Sequence, residues 1–133
     1  MIQKILTLIS RIFIGAFLVF GGVQHFINME FYLPFVPAFL GAKPFIIYAS
    51  GIVEIIIGLG LFIPKTTLKA SWAYLVLMCL FLPVHVADLF SDAPAIGSHN
   101  AAIIRLIVQF SLIALGAYFI RYYQKTKAIN HEN

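Results

Sequence analysis

Four stretches of mostly apolar residues, at 5–26, 45–63, 70–90 and 101–123, occupy most of this sequence. A helix rises about 1.5 Å per residue and a bilayer's hydrocarbon core is about 30 Å thick, so each stretch has the length of one crossing. Backbone polar groups in lipid must bond within their own segment, which makes each crossing a helix. The expectation is therefore an all-α integral membrane four-helix bundle, one domain over 1–133, ending in a polar tail from 124 that is expected to be disordered. Composition agrees, because 62% hydrophobic and 11% charged residues stand well away from the soluble average of roughly half apolar and a quarter charged. Breakers fall between the stretches: Pro34, Pro37 and Pro44 in the first connection, Pro64 after the second span, and Ser91 to Pro94 with Gly97 after the third.

The charges predict an orientation. Lys4 and Arg11 lie at the start, Lys65 and Lys69 in the tight second connection, and Arg121, Lys125 and Lys127 at the end, whereas the other two connections carry only Lys43. The positive-inside rule then puts both termini in the cytoplasm, in a multi-pass plasma-membrane protein, with Arg11 a topology anchor that snorkels to the inner surface. Tyr118, Tyr122, Tyr123 and Trp72 suit the inner interface and Tyr32 and Tyr48 the outer one. The same accounting gives the formal charge of +4 a use in topology, and no basic, aromatic-interleaved soluble segment suggests nucleic acid. Arg11 interrupts the first apolar run and no small-residue cleavage site follows Gly22, so this segment reads as a retained helix rather than a signal peptide. The single cysteine, Cys79, excludes a disulfide framework and a thiolate cluster, and is expected to pack in the bundle.

The outer connection between the first two spans is unusually apolar, with Phe31, Tyr32, Leu33, Phe35, Val36, Phe39 and Leu40. Such a segment lies in the interface, either as a lid over the bundle or as a surface anchor.

Ionisable groups inside a span cost about 2.5 to 3.5 kcal/mol on insertion scales, so they face the bundle interior, pair, or serve function. Here His25, Glu54, His85, Asp88, Arg105 and Gln109 all fall in the outer half of the four spans. His85 and Asp88 share one helix face, as do Arg105 and Gln109. Two small-residue stripes, Gly15–Leu18–Gly22–His25 and Ser50–Gly51–Glu54–Gly58, should let the first two spans approach closely and turn His25 and Glu54 inward. Pro83 is expected to kink the third span and open its outer end. Six polar groups at one depth outline a candidate binding pocket. Each has a structural reading beside the functional one: Glu54 with Arg105 as a buried ion pair, His85 with Asp88 as a hydrogen-bonded pair, His25 as an interface marker. His99, in a polar loop, and His131, in the tail, are not expected to be ligands, and no metal or heme motif is present.

At these residues the chain resembles the DoxX-like family of small four-helix membrane proteins. The resemblance rests on GGVQHF closing the first span, FYLPFVP in the outer connection, YASGIVEIIIGLGLFIPKT through the second span and IRLIVQ opening the fourth. It implies a plasma-membrane protein of the quinol-oxidase and quinone-linked thiosulfate-oxidation setting, and importance for His25, Glu54, Arg105 and Gln109. The third span, with LPVHVADLF, departs from the family pattern, so the resemblance does not extend to His85 and Asp88. The expected function is a small component of a membrane redox system, binding a quinone or similar amphiphile and meeting a partner redox subunit or its own copies. A transporter of a small solute or proton, and a non-catalytic anchor or assembly partner, are the competing expectations. The transport reading is disfavoured by an inner half that lacks a polar pathway.

Overall fold

The computed structural model describes residues 1–132, with side chains to 129. Helix α1 spans Ile2–Ile27, a short α2 spans Met29–Tyr32, and α3, α4 and α5 span Lys43–Phe62, Thr67–Leu89 and His99–Glu132. All but α2 are long and apolar enough to cross a bilayer. Large apolar side chains remain exposed on every one of them, Phe13, Phe20, Ile56, Leu80 and Ile104 among them, as lipid contact requires.

The bundle is built from two helix pairs. Helix α1 packs most extensively on α3, and α4 on α5, with a smaller α3–α4 contact joining the pairs. The first pair is tight because glycines face glycines. A Cβ on Gly22 would stand 2.5 Å from the Gly51 carbonyl oxygen, and one on Gly58 would stand 2.7 Å from that of Gly15. The apolar core lies between the pairs, with Ile14, Leu18, Leu61, Tyr74, Leu77, Met78 and Phe119 all buried.

We call the end carrying the 28–42 and 90–98 connections the upper end and the end carrying the termini the lower end. The helices differ from the sequence expectation at their edges, and in one place substantially. Helix α5 does not stop near 123 but continues to Glu132, a run of 34 residues. Gln124, Lys125, Lys127 and Ala128 are good helix formers, and neither glycine nor proline interrupts them, so the polar tail extends the last span. The side chain of His131 and all of Asn133 lie outside the described residues. Helix α4 runs through Pro83 without ending. Cys79 is exposed on the outside of α4 rather than packed in the core.

Arg11 is a second correction. It is buried, and its Nη1 donates to the Thr67 hydroxyl at 2.8 Å, while its guanidinium lies 5.9 Å from the Tyr123 ring centroid. Nearby, the Thr7 and Tyr118 hydroxyls are 2.6 Å apart, and Ser71 bonds back to the Thr67 carbonyl. Arg11 falls one turn below Ile14 on the inward face of α1, so it points at Thr67 across the bundle instead of out to an interface. These bonds tie α1 to α4 and α5 at the lower end. The lower half thus holds buried polar groups that the sequence reading did not anticipate, closed off from the upper half by the apolar core.

Candidate functional site

Above the core, between the helix pairs, lies a cavity of about 410 Å³. Its walls are mostly apolar, from Phe17, Leu18, Ile47, Met78, Phe81, Val108 and Leu112 among others. Five of the six expected site residues line it: His25, Glu54, His85, Arg105 and Gln109. Asp88 does not. It faces a neighbouring pocket of about 170 Å³, formed with Pro34, Ala87, Ser91 and Ala95.

On the α1–α3 side, the glycine contact brings His25 onto the start of α3. His25 Nδ1 lies 2.9 Å from the Ile47 carbonyl and 3.0 Å from the Ser50 hydroxyl. A carbonyl can only accept, so Nδ1 carries a hydrogen and Nε2 is left to face Glu54. Nε2 stands 3.7 Å from Glu54 Oε1. The other carboxylate oxygen rests over Gly21, where a Cβ would come within 3.0 Å of it and touch nothing else. Gly21 thus makes room for the carboxylate, while Gly22 makes room for the helix.

On the α4–α5 side, Arg105 Nη1 bonds Asp88 Oδ2 at 3.2 Å. Asp88 Oδ1 accepts from the Ala95 amide at 2.5 Å, which fixes the 90–98 connection. Gln109 Nε2 donates to the Met78 carbonyl at 2.6 Å, in the α4 turn just before Pro83. His85 Nδ1 is buried with no partner at hydrogen-bonding geometry, although the Arg105 backbone lies close to the ring.

The pairings therefore differ from both structural expectations. Glu54 meets His25 and not Arg105, because α1–α3 packing brings those two together; Arg105 meets Asp88 across the α4–α5 contact. His85 makes no bond to Asp88. Gln109 lines the cavity with an amide hydrogen already committed to the backbone, which ties α4 to α5.

The roof comes from the 28–42 connection. Tyr32 packs on His25 with centroids 4.1 Å apart, and the Phe35 ring lies 4.4 Å from the Arg105 guanidinium carbon, a cation–π contact. Burial, with a smaller push from the Glu54 carboxylate, raises the Tyr32 phenol pKa above its ordinary value and keeps it a donor. Val36 is buried beneath this segment, and Pro37 and Leu40 also line the cavity, while Phe39 faces outward. The segment ends at Gly41 and Ala42, both at positive φ, where the chain turns into α3. Tyr32, Phe35 and Gly21 were not individually foreseeable as cavity residues. The density of aromatics in the connection was the available signal for the first two, and the adjacent glycines 21 and 22 for the third.

Residues 14–121 match a family described as a domain of unknown function (DUF8561), and the chain belongs to that family. No curated protein matches the chain, and no solved structure matches it.

Proposed function

We propose that this chain is a DoxX-like component of a membrane redox system that binds the head of a quinone or a similar uncharged amphiphile in the roofed cavity. The observation that carries this reading is a cavity with apolar walls into which a few polar groups converge, His25 and Glu54 from one side and His85 and Arg105 from the other. Apolar clefts of a few hundred Å³ with a small number of placed polar groups are the usual form of a small-molecule site. A bound quinone would accept electrons and protons and return them, with the electrons coming from a partner redox subunit. The chain's own residues do the rest. Arg105 and His85 offer hydrogen-bond donors to a carbonyl on one side, the His25–Glu54 pair holds a transferable proton on the other, and Tyr32 and Phe35 keep bulk water out. The apolar wall of Phe17, Val108 and Leu112 suits an isoprenoid tail.

Transport of a proton or small solute is weakened by the buried apolar layer of Leu18, Leu61, Leu77 and Phe119 between the cavity and the polar cluster at Arg11. A pure anchor would have no need of a cavity into which polar groups from both helix pairs converge.

In this reading the upper end faces the outside of the plasma membrane and both termini face the cytoplasm, because the lower end carries most of the lysine and arginine. In a Cys79→Ala background, an impermeant maleimide on intact cells should label Lys43→Cys, and label Lys125→Cys only after permeabilisation; the reverse pattern inverts the orientation.

Binding is tested by thermal stability in mild detergent. A short-chain quinone at about 100 times its Kd should stabilise the protein by about 2.7 kcal/mol, read as a rise in Tm that saturates with concentration. A Tm that does not respond to any quinone, from well-folded protein, removes the reading for the isolated chain.

A further inference from the structure

We propose that Asp88, which lies outside the cavity, determines which ligands enter it: by neutralising Arg105 it excludes anionic amphiphiles and leaves the site to uncharged ones. This rests on the cavity being a ligand site and specifies the class of ligand. Arg105 brings a guanidinium to the cavity wall, and a guanidinium is ordinarily a receptor for carboxylate or phosphate. Here its charge is already balanced. Asp88 Oδ2 holds Nη1 at 3.2 Å from the far side, and the Phe35 ring covers the guanidinium at 4.4 Å. The charge facing the cavity is therefore balanced at Arg105 before any ligand arrives.

The opposite wall adds to the exclusion. Its ionisable groups are His25 and Glu54, and an incoming anion meets the carboxylate of Glu54 while the imidazole is already directed at that carboxylate. His85 and Tyr32, the remaining titratable groups of the lining, present an imidazole and a phenol, both suited to a neutral partner. A like charge brought into a water-poor cavity is strongly disfavoured, whereas a carbonyl can take the remaining N–H groups of Arg105 without disturbing the Asp88 bond.

Asp88→Asn isolates the charge. Asparagine keeps an oxygen for the Ala95 amide, so the 90–98 connection retains its anchor, but it no longer neutralises Arg105. The experiment compares oleate with methyl oleate, which differ in charge and match in tail, by equilibrium binding to protein in nanodiscs above pH 7, in excess of empty nanodiscs. Wild type should favour the ester by at least about tenfold, and Asp88→Asn should tighten oleate by about tenfold while shifting the ester little. Oleate binding that is unchanged in folded Asp88→Asn overturns the assignment. If that variant does not fold, Asp88→Ser is read in its place, because a hydroxyl can still accept the Ala95 amide without neutralising Arg105, and an unchanged oleate-to-ester ratio in it rejects the proposal. A gain of oleate in Asp88→Asn upholds the charge assignment even if no quinone binds wild type, so failure of the quinone reading and failure of this inference give different results.

Discussion

Gly22→Ala should lower the stability of the protein by about 1 to 3 kcal/mol, the range for forcing an extra methyl into a packed interior. The added carbon would fall 2.5 Å from the Gly51 carbonyl oxygen and 2.7 Å from Ile55 Cγ1, so backbone must separate and the α1–α3 pair must open. Gly21→Ala supplies the control from the adjacent position. Its Cβ meets only Glu54 Oε2, at 3.0 Å, which the carboxylate relieves by shifting a few tenths of an ångström. Alanine also improves helix propensity by up to about 1 kcal/mol over glycine. Gly21→Ala should therefore fold at least as well as wild type while weakening ligand binding through the displaced carboxylate. Thermal unfolding in detergent distinguishes the two, and equal losses of Tm would contradict the assignment of Gly22 to packing and Gly21 to the site.

The second large effect concerns the cavity. Arg105→Lys keeps a cation beside Asp88 but loses the planar fork and the stack on Phe35, and Glu54→Gln keeps the shape of the side chain but removes the titratable carboxyl. A hydrogen bond involving a charged group contributes about 1.5 to 3 kcal/mol, so each variant should weaken ligand by roughly 10- to 150-fold. That is enough to empty the site through purification while leaving the bundle folded. Truncation to Arg105→Ala is a poorer test, because it strands Asp88 in a buried position and mixes stability with binding.

The four spans are legible because a bilayer imposes length and apolarity on each crossing, and the glycine stripes mark the close α1–α3 contact in the sequence itself. Convergence of His25, Glu54, His85 and Arg105 was also legible, since depth follows from position along a span. What sequence did not supply was the pairing. Helical spacing says which residues share a face, but whether Arg105 turns to Glu54 or to Asp88 depends on the packing of α4 on α5, which no single helix encodes. Arg11 was misread for a related reason: a cation one turn below the core can snorkel or find a partner across the bundle, and Thr67 decides the matter. Tyr32 and Phe35 sit on the one-turn α2 and on the 3-10 turn at Leu33–Phe35 that follows it, too short for helical periodicity to predict direction.

The most direct test of the central claim is the quinone content of the protein purified from its native membrane in mild detergent, measured by extraction and mass spectrometry. Near-stoichiometric quinone in wild type, lost from folded Arg105→Lys and Glu54→Gln, is the predicted result. Well-folded wild type without quinone, or with an amount that neither substitution changes, would contradict it.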